Sequence, residues 1–336
     1  MTPKILITGA SGFIGSFIIE EALKRGYETW AAIRKSSSKE YLTHPAIHFI
    51  ELKLTAPEKL QEQLKEHCSL HGKWDYIIHC AGATKCKKKA DFDKTNYDMT
   101  RVLVDALVAL QRQPTRFLYI STLSVFGPIH EQDNAPIQAT DHPRPNTAYG
   151  KSKLKTEQYL EQLAGFPYLI FRPTGVYGPR EKDYFLMTKS IQQHLDFAVG
   201  YKQQFLTFIY VKDLVSALFL AIDKQVNRKA YFVSDGKVYS SRDFSNYIQK
   251  ELKIKQVVHL KCPLFILKIV SLLAAFVANC LGKPSTLNGD KYKIMRQRNW
   301  RCDITPIETE IGFRAMYDLE RGVKESIAWY KKEGWL

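Results

Sequence analysis

The sequence predicts an α/β protein, a doubly wound parallel sheet carrying a smaller, mostly helical C-terminal substrate lobe. Three observations lead there. Short apolar runs alternate with amphipathic stretches from the first residues onward, a glycine-rich turn joins the first run to the first amphipathic stretch, and the alternation breaks after Gly178. Such a strand–helix rhythm gives parallel strands, because each crossover helix must bury its apolar stripe on a sheet face.

In chain order, Ile5 to Ile7 reads as the first strand, residues 13–25 as a helix, and residues 29–33 and 47–52 as the next two strands. A helix over 60–68 leads to a strand over 76–79, a helix over 96–111 to a strand over 117–121, and a helix over 149–164 to a strand over 168–172. Residues 1–178 therefore form the ligand-binding sheet domain. Beyond it, 206–210 and 230–233 look like strands around a helix at 213–223, so 206–233 is expected to return to that domain. Residues 179–205 and 234–336 remain for the substrate lobe, at the carboxyl edge of the strands where such sheets bind ligands.

Bulk properties narrow the class of function. A chain of 336 residues with 45% hydrophobic content can bury a large core. Its six cysteines include no CxxC pair and its start has no secretory leader pattern, so a reducing cytoplasm is the expected location. The net charge of +15 (49 basic minus 34 acidic residues) attracts phosphate-bearing cofactors, nucleic acid or anionic lipid. The densest basic cluster, Lys85 with Lys87 to Lys89, has no interleaved aromatics and reads as a solvated loop, so no nucleic-acid partner is expected. His67 and His71 lack a third ligand in any metal-binding spacing and read as a surface helix end, and no metal is expected. Residues 263–281 are strongly apolar, but Lys268 and Asn279 interrupt them, and they fall short of the roughly 20 residues of a span. They read as a buried or lid helix, with peripheral membrane contact as the alternative.

Thr8-Gly9-Ala10-Ser11-Gly12-Phe13-Ile14-Gly15 follows the first strand and opens the first helix. Its glycines allow a tight turn and let a pyrophosphate approach the helix amino terminus, which makes this a Rossmann-type dinucleotide site. At the end of the second strand, where NAD-preferring sites place a carboxylate for the ribose 2′-hydroxyl, the chain has Arg34, Lys35 and Ser36. A guanidinium grips a 2′-phosphate that a carboxylate would repel, so NADP(H) is preferred over the still possible NAD(H).

Tyr149-Gly150-Lys151-Ser152-Lys153 places a phenol and an ammonium one helical turn apart. The positive charge is expected to lower the phenol pKa, so that Tyr149 exchanges a proton with a substrate oxygen while Lys153 tunes it and holds the ribose.

With the glycine turn, this motif makes the chain resemble the extended short-chain dehydrogenase/reductase family, also called the NAD-dependent epimerase/dehydratase family, over nearly its whole length. The resemblance also rests on His79-Cys80-Ala81-Gly82, Thr95-Asn96-Tyr97, the stretch from Ser121 to Gly127, the stretch from Arg172 to Arg180, and Tyr210-Val211-Lys212-Asp213. It implies hydride transfer at the nicotinamide, with Tyr149 as acid/base and Thr122 as partner of the reacting oxygen, Ser124 being the nearby substitute. It implies cofactor contacts at Gly9, Ser11, Gly12, Phe13, Ile14, Gly15, Cys80, Ala81, Gly82, Asn96, Ser121 and Lys153, with Pro173 and Val176 walling the nicotinamide. Substrate contacts are expected at Ser124, Lys85, Tyr177 and Arg180. A homodimer through the helices at 96–111 and 149–164 is also implied.

Departures from the family patterns bear on the substrate, a small molecule. Leu123 and Ser124 stand where 4,6-dehydratases carry Asp and Glu. Gly175 and Leu206 stand where sugar-nucleotide epimerases carry an Asn and an Arg for the diphosphate. The expected reaction is therefore hydride exchange between NADP(H) and a secondary alcohol or ketone, lipophilic and sterol-like, nearest the 3β-hydroxysteroid dehydrogenase and dihydroflavonol reductase branch. A sugar or sugar-nucleotide epimerase/reductase is the alternative, and a non-catalytic cofactor-binding module a third.

Overall fold

The computed structural model describes residues 2–224, 226–280, 285 and 287–336. Its first half alternates as the apolar runs dictate: β1 (Lys4–Thr8), α1 (Phe13–Lys24), β2 (Glu28–Ala32), β3 (Ile47–Ile50), α2 (Pro57–His71) and β4 (Tyr76–His79). A long helix follows in three parts, α3 (Ala90–Phe92), a π-helical turn (Asp93–Asp98) and α4 (Met99–Ala109). Then come β5 (Arg116–Ile120), α5 (Ala148–Gln162) and β6 (Tyr168–Pro173). Local chemistry sets several limits: Pro57 opens α2 and Gly72 stops it at φ 77°, while the Thr147 side chain caps α5 by accepting the Gly150 amide at 3.0 Å.

The later chain holds β7 (Gly175–Tyr177), α6 (Lys182–Gln192), β8 (Leu195–Val199), β9 (Phe208–Tyr210), α7 (Val211–Asp223) and β10 (Lys229–Val233). It ends with α8 (Asp243–Leu252), β11 (Val258–Cys262), α9 (Leu264–Cys280), α10 (Gly289–Arg296), α11 (Thr305–Ile311) and α12 (Leu319–Lys332).

Seven strands form one sheet in the order β10-β6-β5-β4-β1-β2-β3, every adjacent pair parallel. The order reverses between β1 and β4, and ligands of doubly wound sheets bind beyond the strand ends at that crevice. One face packs against α1 and α7 through residues such as Ile18, Phe17, Leu214 and Leu218, and the other against α2, α4 and α5 through Leu60, Leu64, Leu103 and Leu160. Within 206–233, β10 joins the main sheet beside β6, and α7 packs on its face. The segment at β9 leaves the main sheet and pairs with β7 instead, because aromatic residues of a third cluster, Tyr177, Phe208 and Tyr210, pack there with α8 and α12.

Two further expectations are corrected. His67 is not on a surface helix end: it is buried, stacked on Trp74 at 4.1 Å and edge-on to Trp30 at 4.5 Å, and burial lowers its pKa to about 4. The segment 263–281, of which Leu281 lies outside the described residues, does not form a buried helix. Within α9 only Leu267 and Ser271 are buried among the described side chains, and its other large apolar residues face outward. Among the described residues no helix is long and apolar enough to cross a membrane.

Candidate active site

The cofactor end is built from the turn between β1 and α1. Gly9 takes φ +67°, a conformation costly for other residues, and its carbonyl accepts the Gly12 amide at 3.0 Å. A Cβ on Gly9 would lie 2.8 Å from the Ala81 nitrogen, and one on Gly15 would strike the Gly9 carbonyl. No side chain caps α1 at Gly12. The first-turn amides of α1 therefore meet the open ends of β1 and β4 across a bare backbone cradle, which suits a pyrophosphate. Ser11, Phe13 and Ile14 lie on the same turn and first helical residues.

The floor of the crevice is pinned by a buried chain. Thr8 Oγ1 meets His79 Nδ1 at 2.9 Å, His79 Nε2 meets Thr100 Oγ1 at 2.9 Å, and the Ala81 amide donates to Thr8 Oγ1 at 3.1 Å. Burial drops the His79 pKa to about 3, so the ring is neutral and serves as a fixed strut. Asn96, in the π-helical turn, spends both amide donors on Ala83 O (3.1 Å) and Ser152 Oγ (2.9 Å) and accepts the Ala83 amide at 2.7 Å. Its side chain holds the loop after β4 rather than offering donors to a cofactor. π-bulges often mark functional sites, and here the bulge turns Asn96 inward.

Along one face of α5 stand Tyr149, Lys153 and Glu157, at successive i+4 positions. Lys153 is buried and donates from Nζ to Ile120 O at 2.8 Å, with its charge 4.6 Å from the Tyr119 ring centre. A Cβ on Gly82 would come within 3.3 Å of that Nζ, so Gly82 and Lys153 share the crevice. Desolvation lowers the Lys153 pKa to about 8, against the pull of Cys80 and Glu157. The expectation that Lys153 lowers the Tyr149 pKa is not met. Burial pushes Tyr149 up to about 12, and the Thr122 hydroxyl opposes that rise. The Lys153 ammonium is turned toward the end of β5 instead. Cys80 is held as a neutral thiol, its pKa raised by burial to about 11.

Glu157 is a site residue that the sequence reading missed, although it continues the same helix face. It is fully buried, accepts from Ser121 Oγ, and is gripped by Arg172 through Nη2 at 2.7 Å and Nε at 3.1 Å. Ser121, expected at the cofactor, thus points its hydroxyl into this network.

Beside Thr122 lies a cavity of about 340 Å³ whose wall includes Ser124, Pro173, Gly175 and Leu206. The lobe contributes Tyr184, Met187, Phe244, Ile294, Met295 and Trp300, none of which sequence periodicity singled out. Three expected substrate residues lie elsewhere. Tyr177 is buried in the aromatic cluster with its hydroxyl donating to Asp318 O at 3.1 Å. Arg180 reaches across α1 to Ser16 Oγ at 2.9 Å and Glu20 at 2.5 Å, sandwiched by Phe17 and Tyr41 at 4.3 Å each. Lys85 is paired with Asp183 at 2.7 Å. Val176 packs against the sheet core and is absent from the cavity wall.

The parallel sheet, glycine cradle and crevice define a Rossmann-type nucleotide-binding protein. The model of the NAD dependent epimerase/dehydratase family matches residues 5–234. The chain belongs to that family. It is 26% identical to UDP-N-acetyl-alpha-D-glucosaminuronate decarboxylase of Bacillus cytotoxicus, covering 99% of both chains. It is 25% identical to sterol-4-alpha-carboxylate 3-dehydrogenase, decarboxylating, of Dictyostelium discoideum, over 87% of this chain and 94% of that one. The fold matches a UDP-glucose 4-epimerase structure from Thermotoga maritima with TM-score 0.78 at 22% identity, covering 98% of this chain and 99% of the other.

Proposed function

We propose that this enzyme interconverts a secondary alcohol and a ketone on an apolar substrate, with NADP(H) preferred to NAD(H). The observation that supports the substrate class is the cavity beside Thr122: among the described residues no charged side chain lines it, and Gly175 and Leu206 form part of its wall. Anionic diphosphates are best matched by cationic side chains, and the polar residues of this wall, Ser124, Gln204 and Ser241 among them, are neutral.

Glycines 9, 12 and 15 would hold the pyrophosphate and Lys153 the adjacent ribose. The bound nicotinamide supplies or accepts the hydride. In ketone reduction Tyr149 donates its phenolic proton to the substrate oxygen while Thr122 donates a hydrogen bond to the same oxygen, and in oxidation the proton returns to Tyr149. Arg34 supports the NADP(H) preference: it is exposed two residues beyond β2, and no ion pair or hydrogen bond engages its guanidinium among the described residues.

Arg34→Ala is expected to weaken NADPH binding about ten- to a hundredfold and leave NADH binding within about twofold, the worth of a charge-assisted phosphate contact. Titration of both cofactors reads this directly, and tighter NADH binding unaffected by the substitution would sink the cofactor assignment.

A second reading, a sugar-nucleotide epimerase or reductase, is supported by the comparisons, which include several sugar-nucleotide enzymes beside a sterol dehydrogenase. One assay separates the two. Stoichiometric consumption of NADPH with apolar ketones supports the first reading, and conversion of a UDP-sugar without net redox replaces it with the second.

A further inference from the structure

We infer that α9 and the β8–β11 ribbon form a membrane-docking face that binds an anionic phospholipid bilayer without crossing it. The helix exposes Phe265, Ile269, Leu272, Leu273, Phe276 and Val277, each more than half exposed. At 100° per residue these side chains, with Ile266 and Val270, fall within about 160° of arc, so they make one continuous stripe. The opposite side carries Leu267 and Ser271, both buried. An apolar stripe of this extent is far beyond the scattered exposed residues of an ordinary surface.

The ribbon extends the same character. Leu260 pairs with Phe197 across β11 and β8, and these side chains with Val258 are exposed at 42%, 59% and 58%. Exposed Tyr201 lies beside Lys261, whose charge is 6.0 Å from its ring, and Gly200 lies against Leu264 at the start of α9.

Charge identifies the occupant. From Lys253 to Gly289 the sequence has no Asp or Glu, while Lys253, Lys255, Lys261, Lys268 and Lys283 are cationic. Lys255, Lys261 and Lys268 are exposed around the apolar residues. A second copy of this face would bring two cationic rims together and be repelled, whereas an anionic leaflet attracts the rim and receives the stripe. An apolar helix in the interface plane also needs no spanning length, which accords with the 17 residues of α9.

The docking face adjoins the cavity. Val199, at the end of β8, lines it, and α10 both packs on α9 and contributes Ile294 and Met295 to its wall. A bilayer-dissolved alcohol or ketone would therefore meet the cavity from the lipid side. This consequence rests on the proposed substrate class, but docking itself does not.

The test is cosedimentation of the full-length protein with vesicles of phosphatidylcholine and phosphatidylglycerol, against vesicles of phosphatidylcholine alone. Binding is expected to the anionic vesicles and to fall steeply with added salt. Phe265→Ser with Phe276→Ser is expected to weaken it more than tenfold, and Lys261→Gln with Lys268→Gln about tenfold or more at low salt. NADPH binding by each variant, expected unchanged, separates lost docking from misfolding. Absence of vesicle binding by the unaltered protein would overturn the inference, as would monomerisation of a dimer by the Phe variants with vesicle binding unaltered. Vesicle binding without turnover of apolar ketones would leave docking standing and remove only the substrate reading.

Discussion

Tyr149→Phe is expected to lower kcat for ketone reduction about 10²- to 10⁴-fold, the range contributed by a positioned acid or base, while cofactor affinity stays within about twofold. The change deletes one hydroxyl and leaves the ring, α5 and the Lys153–Ile120 hydrogen bond in place. The pH dependence of the unaltered enzyme carries a sign. With its pKa raised to about 12, Tyr149 is protonated at neutral pH and ready to donate, which favours reduction. Lys153, lowered to about 8 by desolvation, is an ammonium below that pH and loses its charge above it. The kcat/KM of reduction is therefore expected to be highest below about pH 8 and to fall through it, while oxidation, which needs the phenolate, rises with pH. Stopped-flow or steady-state profiles in both directions measure this. Parallel slopes in the two directions, or a Tyr149→Phe enzyme of undiminished kcat, would remove Tyr149 from the acid/base role.

The sheet and the glycine turn were legible because both are local. A strand buried on two faces must be apolar, its crossover helix must be amphipathic, and a turn at φ +67° with Ala81 pressed against it must be glycine. The spacing of Tyr149 and Lys153 on α5 is likewise local. The direction in which the Lys153 ammonium points is not, because it depends on the Ile120 carbonyl and on Tyr119, which reach it only when β5 packs beside α5. The same holds for Tyr177 and Arg180. Both belong to a contiguous motif, yet Asp318, far along the chain, takes the hydroxyl of the first, and α1 takes the guanidinium of the second.

The lobe was least legible. Its cavity wall draws Tyr184 from α6, Phe244 from α8, Met295 from α10 and Trp300 from the segment beyond, residues whose spacing records four separate elements and no shared periodicity. The apolar run at α9 was visible, but hydropathy alone does not distinguish a core helix from one facing outward. That difference lies in what the tertiary structure leaves uncovered.

Glu157→Ala is expected to destabilise the protein by about 3–5 kcal/mol, because it strands the buried Arg172 guanidinium without its carboxylate. The Arg172 side chain is 8% exposed and that of Glu157 1%, so water cannot replace the lost partner. Ser121 loses its acceptor as well. Urea unfolding reads the loss as a lower midpoint at unchanged slope. Replacing both partners, Glu157→Leu with Arg172→Met, is expected to recover most of the stability, since removing a buried pair entire avoids the uncompensated charge. A conservative variant isolates the electrical effect on catalysis. Glu157→Gln keeps the shape and removes a negative charge that raises the Lys153 pKa, so that pKa moves below about 8 and the falling limb of ketone reduction moves to lower pH with it. A limb that stays in place in Glu157→Gln would confine Glu157 to packing, while an Ala variant as stable as the unaltered protein would mean that Arg172 finds another partner or reaches water.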